Sequence, residues 1–155
     1  MKDGLHVNED GDKEWFSGGM RHRTDGPAME DADGQNEWWL HGERHREDGP
    51  AMEYADGQKD WWLHGLRHRE DGPAVEYNNG NKEWCLNGKR HREDGPAIKT
   101  ADGFKAWYLN GEPHRVDGPA VEFANGTEKW CIHGKYYTEE EFILKTSKFW
   151  QKVSS

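Results

Sequence analysis

The chain lacks the features that mark secreted domains and membrane proteins. Its 155 residues include two cysteines, only 32% hydrophobic residues and no apolar run long enough to cross a bilayer. The opening residues Met1 to Gly4 do not have the pattern of a signal peptide. We therefore expect a chain without a membrane span in a reducing, cytoplasmic compartment.

Basic residues are also fewer than acidic ones. Lysine and arginine number 21 against 30 aspartate and glutamate residues, which gives a net charge of −9. Non-specific binding to nucleic acid or to an anionic membrane needs a basic surface, so we expect neither. The acidity leaves room for a basic partner or for mimicry of a polyanion such as DNA.

Tryptophan, by contrast, is abundant and evenly spaced. Nine tryptophans are present, and six of them recur every 23 residues. A histidine and an Asp-Gly-Pro-Ala segment recur at the same interval. A unit copied about six times predicts a repeat architecture in which each unit packs against its neighbours. The six positions are Trp15, Trp38, Trp61, Trp84, Trp107 and Trp130.

One unit contains the signals of a β-hairpin. Residues 74–77 alternate apolar and polar side chains, which predicts a strand, and Gly80 marks the turn that follows. Residues 82–86 predict a second strand, with Trp84 on its core-facing side. The Asn87-Gly88 pair is typical of a two-residue type I′ turn. The Asp-Gly-Pro segment then turns the chain into the next unit.

These signals predict an all-β fold, an elongated antiparallel meander of about six 23-residue β-hairpin repeats with a short C-terminal capping helix. Residues 1–19 are predicted to form a degenerate N-terminal cap repeat, residues 20–134 the repeat array and residues 135–155 the helical cap. Thr138 and Glu141 have the spacing of a helix capping box. The predicted apolar face of that helix consists of Phe142, Ile143, Phe149 and Trp150.

The two cysteines, Cys85 and Cys131, occupy the same position of repeats that lie two units apart. If each repeat adds two strands, their sulfurs are separated by about 19 Å. A disulfide requires Cα atoms within about 7 Å of each other. We therefore predict two unpaired cysteines that act as small apolar side chains.

The recurring His-x-x-Asp pair is the main candidate for chemistry. A histidine beside a carboxylate can act as a general base or as half of a metal site. An active site is normally assembled once, however, and five equal copies favour a structural role in which the aspartate organises the turn and holds the imidazole. Metal binding and catalysis are the weaker alternatives. The residues assigned this structural role are His45, His68, His91, Asp48, Asp71 and Asp94.

No nucleophile elbow, Cys-x-x-Cys or His-Glu-x-x-His motif is present in the sequence. We therefore expect no enzymatic activity, no cofactor and no metal.

Two further sets of residues are candidates for binding. Each set occupies the same position in successive repeats, and we call such a set a column. Arg46, Arg69 and Arg92 recur beside the histidines and are expected to make cross-strand ion pairs with glutamates or, alternatively, to bind a small anion or nucleotide. Trp39, Trp62 and Tyr108 lie opposite the face assigned to the core. They are buried if the sheet folds into two layers, and they form an exposed strip for a partner if it stays a single layer.

The segment from Trp84 to His91, with Tyr77-Asn78-Asn79-Gly80 upstream, resembles the MORN repeat. The resemblance covers about residues 5 to 134, and the unit length of about 23 residues is similar. The chain departs from the family where His is followed by Arg-Glu-Asp-Gly-Pro rather than directly by Gly. It therefore resembles a divergent MORN-variant protein of the kind encoded by bacteriophages and large DNA viruses.

The resemblance implies scaffolding or protein binding rather than catalysis. The leading hypothesis is a non-enzymatic repeat scaffold for a protein partner, which for a viral protein is a host enzyme or defence protein in the host cytoplasm. A small-ligand binder or sponge for nucleotide-type signals and an acidic DNA mimic are the alternatives. Formation of oligomers through pairing of the sheet edges is a further alternative.

Overall fold

The protein is a long β-meander followed by one helix. The computed structural model describes the backbone of residues 3–153 and the side chains of residues 3–147. Among these described residues, fourteen short strands form one antiparallel sheet in which the strands pair largely in chain order. The predicted fold class, an antiparallel meander of hairpins with a C-terminal helix, is confirmed.

The sheet begins with β1 (Gly4–Val7), β2 (Lys13–Ser17) and the short β3 (Met20–Arg21), which pairs with β2. It ends with β21 (Glu128–Ile132) and β22 (Lys135–Tyr137). Nine two-residue strands lie between these ends, two from each of four repeats and one, β20, from the repeat that ends in β21. They are Met29–Glu30 (β4), Asn36–Glu37 (β5), Met52–Glu53 (β8), Lys59–Asp60 (β9), Val75–Glu76 (β12), Lys82–Glu83 (β13), Ile98–Lys99 (β16), Lys105–Ala106 (β17) and Val121–Glu122 (β20).

Each internal repeat also forms a separate two-stranded hairpin. These hairpins are Trp39–Leu40 (β6) with Glu43–Arg44 (β7), Trp62–Leu63 (β10) with Leu66–Arg67 (β11), Cys85–Leu86 (β14) with Lys89–Arg90 (β15), and Tyr108–Leu109 (β18) with Glu112–Pro113 (β19). Their turns have left-handed backbone at both central residues, as predicted for type I′. In the Asn87-Gly88 turn the φ angles are 49° and 77°.

The continuous strand predicted for residues 82–86 is wrong, because it is interrupted at Trp84. The Trp84 N–H donates to the Ala97 carbonyl of the next repeat at 2.8 Å, whereas its carbonyl accepts from His91 N–H at 3.1 Å. The backbone groups of this residue therefore bond in two directions. The first half of the predicted strand joins the long sheet, and the second half joins the small hairpin.

The small hairpins are bonded to one another as well. Gly65 N–H donates to the Arg44 carbonyl at 3.0 Å, and Arg46 N–H donates to the Trp62 carbonyl at 3.1 Å. The same two bonds recur between the other successive hairpins. Each repeat is therefore joined to the next along two hydrogen-bonded lines, one through the long sheet and one through the hairpins.

The fully buried core consists of small side chains rather than the tryptophans and leucines that the alternation predicts. The alanines of the Asp-Gly-Pro-Ala segments have no exposed surface, and Val75 and Cys131 are also completely buried. Trp38, Trp61, Trp84, Trp107 and the leucines beside them are only half-buried. Assigning that face to the core is therefore wrong. The buried alanines are Ala28, Ala51, Ala74, Ala97 and Ala120.

The two cysteines are free and buried, as predicted. Burial raises the pKa of the Cys85 thiol, and burial is likewise the main cause of the raised pKa of Cys131. Both side chains therefore stay protonated and fill space in the core.

The C-terminal helix α1 spans Glu139–Val153 and contacts β21 and β22. Its predicted capping box is confirmed, because Thr138 N–H donates to Glu141 and Glu141 N–H donates to Thr138 Oγ1. Phe142 is buried against Trp130, with 4.8 Å between the ring centroids. Ile143, however, is 53% exposed, so its place on the buried face was predicted wrongly. The predictions for the Phe149 and Trp150 side chains lie outside the described residues.

Within the part of the chain that the structure describes, no helix is both long and apolar enough to cross a membrane.

Candidate binding surface

One arginine in each of five successive repeats makes a similar set of contacts, which we call the arginine clamp. Arg69 donates from Nε to Asp71 at 2.8 Å and from Nη1 to the Pro73 carbonyl at 3.3 Å and to Glu76 at 3.1 Å. Its guanidinium carbon lies 4.1 Å from the centre of the Trp61 ring, within cation–π distance. The stacked arginines are 21–25% exposed. They are Arg23, Arg46, Arg69, Arg92 and Arg115.

The aspartate of the His-x-x-Asp pair belongs to this clamp. Asp71 accepts from Arg69, and the arginine hydrogen bond holds the pKa of the Asp71 carboxyl below its usual value. Asp48 and Asp94 bond to Arg46 and Arg92 in the same way. In the structure, these aspartates therefore bond to arginine side chains, whereas they were predicted to hold the histidine rings.

The glycine that follows each aspartate makes room for the guanidinium. Gly72 does not have the left-handed backbone that usually requires glycine, but a Cβ atom there would lie 2.8 Å from Arg69 Cζ. The corresponding distances at Gly26, Gly49, Gly95 and Gly118 are 2.8–3.0 Å. The Asp-Gly-Pro segment therefore keeps its glycine because the arginine packs against the backbone at that point.

The histidine column links each repeat to the next one. His45 Nδ1 accepts a hydrogen bond from the backbone N–H of His64, the first central residue of the next type I′ turn, at 3.2 Å. Equivalent bonds of 3.1–3.2 Å are made by His22, His68, His91 and His114. In His22, His45 and His114 the Nδ1 atom therefore carries no proton, because a protonated nitrogen cannot accept. In His68 and His91, Nδ1 also lies 3.0 Å from the Oδ1 atom of the asparagine in the next turn.

We predict that acid weakens this link at His114. Burial is the main cause that lowers the pKa of His114, and neighbouring His133 adds to it against the opposing effect of Glu112. The native state therefore binds this proton less readily than the unfolded chain does. The contribution of His114 to stability is complete above the unfolded imidazole pKa of about 6.5 and falls as the pH drops below it.

The measurement is urea unfolding at pH 7.5, 6.0 and 5.0. In His114→Asn the amide oxygen can still accept from His133 N–H but does not titrate. We expect the stability of this variant to fall less steeply with pH, by at most about 1.4 kcal/mol per pH unit for the one proton removed. Identical slopes in the two proteins would contradict the prediction.

The aromatic strip of Trp39, Trp62 and Tyr108 is covered by a second set of arginines. The Arg44 guanidinium lies 4.8 Å from the Trp39 ring centre and 5.6 Å from that of Trp62. Arg67 and Arg90 lie 5.4 and 5.7 Å from Trp62 and Tyr108. The three aromatic residues are half-buried and do not form the open strip expected for a single layer.

Carboxylates balance the charge of these arginines. Glu37 accepts from Arg44 and, at 2.8 Å, from Trp39 Nε1, and it is almost fully buried. Asp60 occupies the same position one repeat later and accepts from Arg67 at 2.9 Å. Its side chain is one methylene shorter, and Trp62 Nε1 is buried without a hydrogen-bond partner among the described residues. This series of carboxylate–arginine ion pairs ends in the fifth repeat, where Ala106 replaces the acidic residue and Pro113 replaces the arginine.

The tryptophan face predicted to be core instead lines open clefts between successive repeats. One cleft of about 700 Å³ lies between the Arg46–Pro50 loop and the Arg69–Asp71 loop, and Trp61, Leu63, His64 and His68 line it. Clefts of about 700 and 740 Å³ recur one repeat earlier and two repeats later, around Trp38 and Trp107.

The rims of these clefts are acidic. Adjacent glutamate and aspartate residues lie at the tip of each internal loop, with 82–86% of each side chain exposed. The sequence contains this signal as the repeated Glu-Asp pair, but only the structure places the pairs beside tryptophan-lined clefts. The rim residues are Glu47, Asp48, Glu70, Asp71, Glu93 and Asp94.

No three histidine, cysteine, aspartate or glutamate side chains among the described residues are grouped so that they could hold a metal ion. The fold and surface thus define a β-hairpin repeat protein with a periodic row of acidic clefts. No family model matches the chain, and no curated protein matches it.

Proposed function

We propose that the protein is a non-enzymatic repeat scaffold that binds a protein partner along the row of clefts. The observation that carries this proposal is repetition: three clefts of nearly equal volume each have a tryptophan, a leucine and a histidine in the lining and at least one Glu-Asp pair at the rim. A partner that spans several clefts gains from each of them without any single tight site.

The geometry gives less support to a nucleotide binder that uses Arg46, Arg69 and Arg92. Their guanidinium groups already contact an aspartate, a proline carbonyl and a tryptophan ring, and Arg46 and Arg69 also contact a glutamate. An anion would have to displace these internal contacts. The covered aromatic residues Trp39, Trp62 and Tyr108 likewise offer a ligand little free ring surface.

Mimicry of a polyanion is the second candidate, because the Glu-Asp pairs form a file of exposed carboxylates. Equivalent pairs are spaced by two strands, or about 9.6 Å. A partner that recognises only this charge would lose affinity steeply with added salt, whereas one that also fills the apolar clefts would keep more of it.

The divergent MORN assignment and the viral origin rest on the sequence resemblance. With them we propose that the partner is a host enzyme or defence protein in the cytoplasm of the host cell, inhibited because the scaffold covers its working surface. Oligomers through the sheet edges stay a prediction. The first edge is β1, which carries exposed Leu5 and Val7.

Affinity capture from host lysate tests the proposal when the captured protein is mapped by cross-linking. We expect a captured protein whose cross-links fall on the cleft rims. The triple variant Glu47→Lys, Glu70→Lys, Glu93→Lys should lose it and keep its fold, because these side chains are 83–86% exposed and each makes only a long contact of 3.6–3.8 Å to a histidine Nε2.

The control is a second triple variant, Glu9→Lys, Asp33→Lys, Glu128→Lys, which changes the net charge by the same amount. Its three exposed residues lie away from the clefts, at or beside the other turns. It should retain the partner. Cross-links away from the clefts, or equal loss in both triple variants, would count against the proposed surface.

A further inference from the structure

The distance between the clefts restricts the backbone conformation of a chain that could bind to several of them at once. Each repeat adds two strands to the long sheet, so the clefts of adjacent repeats, around Trp38 and Trp61, are about 9.6 Å apart, and the cleft around Trp107 lies twice that distance, about 19 Å, from the one around Trp61. A chain that lies along the row and places one side chain in each cleft must repeat at the distance between adjacent repeats.

Only one regular backbone conformation fits this interval closely. A polyproline II helix has three residues per turn and repeats every 9.3 Å or so. Side chains on one face of a β-strand recur every 6.8 Å or so, which does not match. An α-helix presents every seventh residue at about 10.5 Å, and over several repeats its error grows about three times as fast as that of polyproline II.

Backbone pairing also disfavours an added strand at the clefts. Successive hairpins are already bonded to each other through Arg46 N–H and the Trp62 carbonyl. A strand inserted between two repeats would have to break these bonds. A polyproline II segment needs no such edge, and aromatic-lined grooves are its usual docking sites.

The lining of a cleft indicates which side chain enters it. Trp61 and Leu63 offer apolar surface, and the exposed carboxylates of Glu47 and Glu70 stand at the rim. Lysine and arginine combine an aliphatic stem with a cationic end and can bury the first while the second stays at the surface. The net charge of −9 favours the same kind of partner.

We propose that the clefts receive a basic, proline-rich segment of the partner in the polyproline II conformation, with one lysine or arginine at every third position entering successive clefts. This inference rests on the proposed function and specifies the chemistry of the partner. It explains why each cleft has a tryptophan, a leucine and a histidine in its lining and at least one glutamate at its rim.

The test uses the full chain and a labelled peptide of about five Pro-Pro-Lys triplets, which is long enough to span the internal repeats. Fluorescence anisotropy measures its affinity against that of a peptide with the same composition and irregular lysine spacing. We expect the regular peptide to bind at least about tenfold more tightly. Equal affinities would overturn the proposal, because charge alone would then explain binding.

The two triple variants serve as a matched pair. Glu47→Lys, Glu70→Lys, Glu93→Lys should weaken binding of the regular peptide by more than about tenfold, and Glu9→Lys, Asp33→Lys, Glu128→Lys by less than about threefold. Equal losses would overturn the proposal.

An alanine-rich helical peptide with lysine at every seventh position tests the conformation. We expect it to bind more weakly than the Pro-Pro-Lys peptide, and tighter binding would overturn the polyproline II assignment. Failure of every peptide would also overturn the inference. The proposed function would then still be decided separately, by whether a captured protein cross-links to the cleft rims.

Discussion

Replacing Asp60 by alanine is expected to destabilise the protein by about 3 kcal/mol. Asp60 has no exposed surface, and it accepts hydrogen bonds from Arg67 and Gln58, each at 2.9 Å. Alanine would remove the charge that balances Arg67 and leave a guanidinium whose Nε already lacks a hydrogen-bond partner among the described residues. The Arg67 side chain is 36% exposed, so solvent keeps the loss toward the lower end for a buried pair.

The matched control is Asp71→Ala. This substitution also removes an aspartate that bonds to an arginine, at 2.8 Å, but the Asp71 side chain is 83% exposed. It should cost less than about 1 kcal/mol in chemical denaturation. If the two variants lose the same free energy of unfolding, burial of Asp60 does not have the role assigned to it.

The sequence predicts the features that depend on neighbouring residues. The type I′ turns follow from a residue tolerant of left-handed backbone before glycine, as in Asn87-Gly88. The capping box follows from the spacing of Thr138 and Glu141. The free cysteines follow from the repeat length alone. Each of these needs only the local pattern or the period, so tertiary contacts did not have to be known.

The features that the sequence does not predict depend on contacts between repeats. Alternation places Ala74 on the same side as Glu76, yet Ala74 is fully buried, and its carbonyl accepts a hydrogen bond from Trp61 N–H of the preceding repeat at 2.8 Å. Trp84 interrupts its strand because its carbonyl and its N–H bond to different neighbours. A pattern read within one unit does not contain these partners.

The candidate surface was missed for the same reason. Tryptophan and leucine at alternate positions are typical of a core, so Trp61 and Leu63 were assigned to one. The loop that carries Arg69 instead packs its guanidinium on Trp61 and leaves a cleft beside it. Whether this tryptophan face is packed or open depends on the positions of two successive loops, which the pattern of one repeat does not reveal.

Replacing Gly72 by alanine is expected to destabilise the protein by about 1–2 kcal/mol. The new Cβ would lie 2.8 Å from Arg69 Cζ and 3.0 Å from its Nε. The guanidinium is the end of a flexible side chain and can shift, but the shift stretches its contacts with Asp71, Glu76 and the Trp61 ring. The loss should be seen as a lower denaturation midpoint with an unchanged dependence on denaturant.

A double-mutant cycle with Arg69→Ala identifies the cause. Arg69→Ala is itself destabilising, but it removes the group that the new Cβ would meet. Gly72→Ala should therefore cost less than about 0.5 kcal/mol in the Arg69→Ala background, and the difference is the coupling energy between the two positions.

Gly57→Ala is the matched control for the cycle. Gly57 has a φ of 91°, and a Cβ atom added there would meet no described atom within 4 Å, so its substitution strains the backbone without a clash. We expect a cost of about 1–2 kcal/mol that is the same with and without Arg69. If Arg69→Ala relieved both alanine substitutions equally, or neither, the glycine of the Asp-Gly-Pro segment would not be there to accommodate the guanidinium.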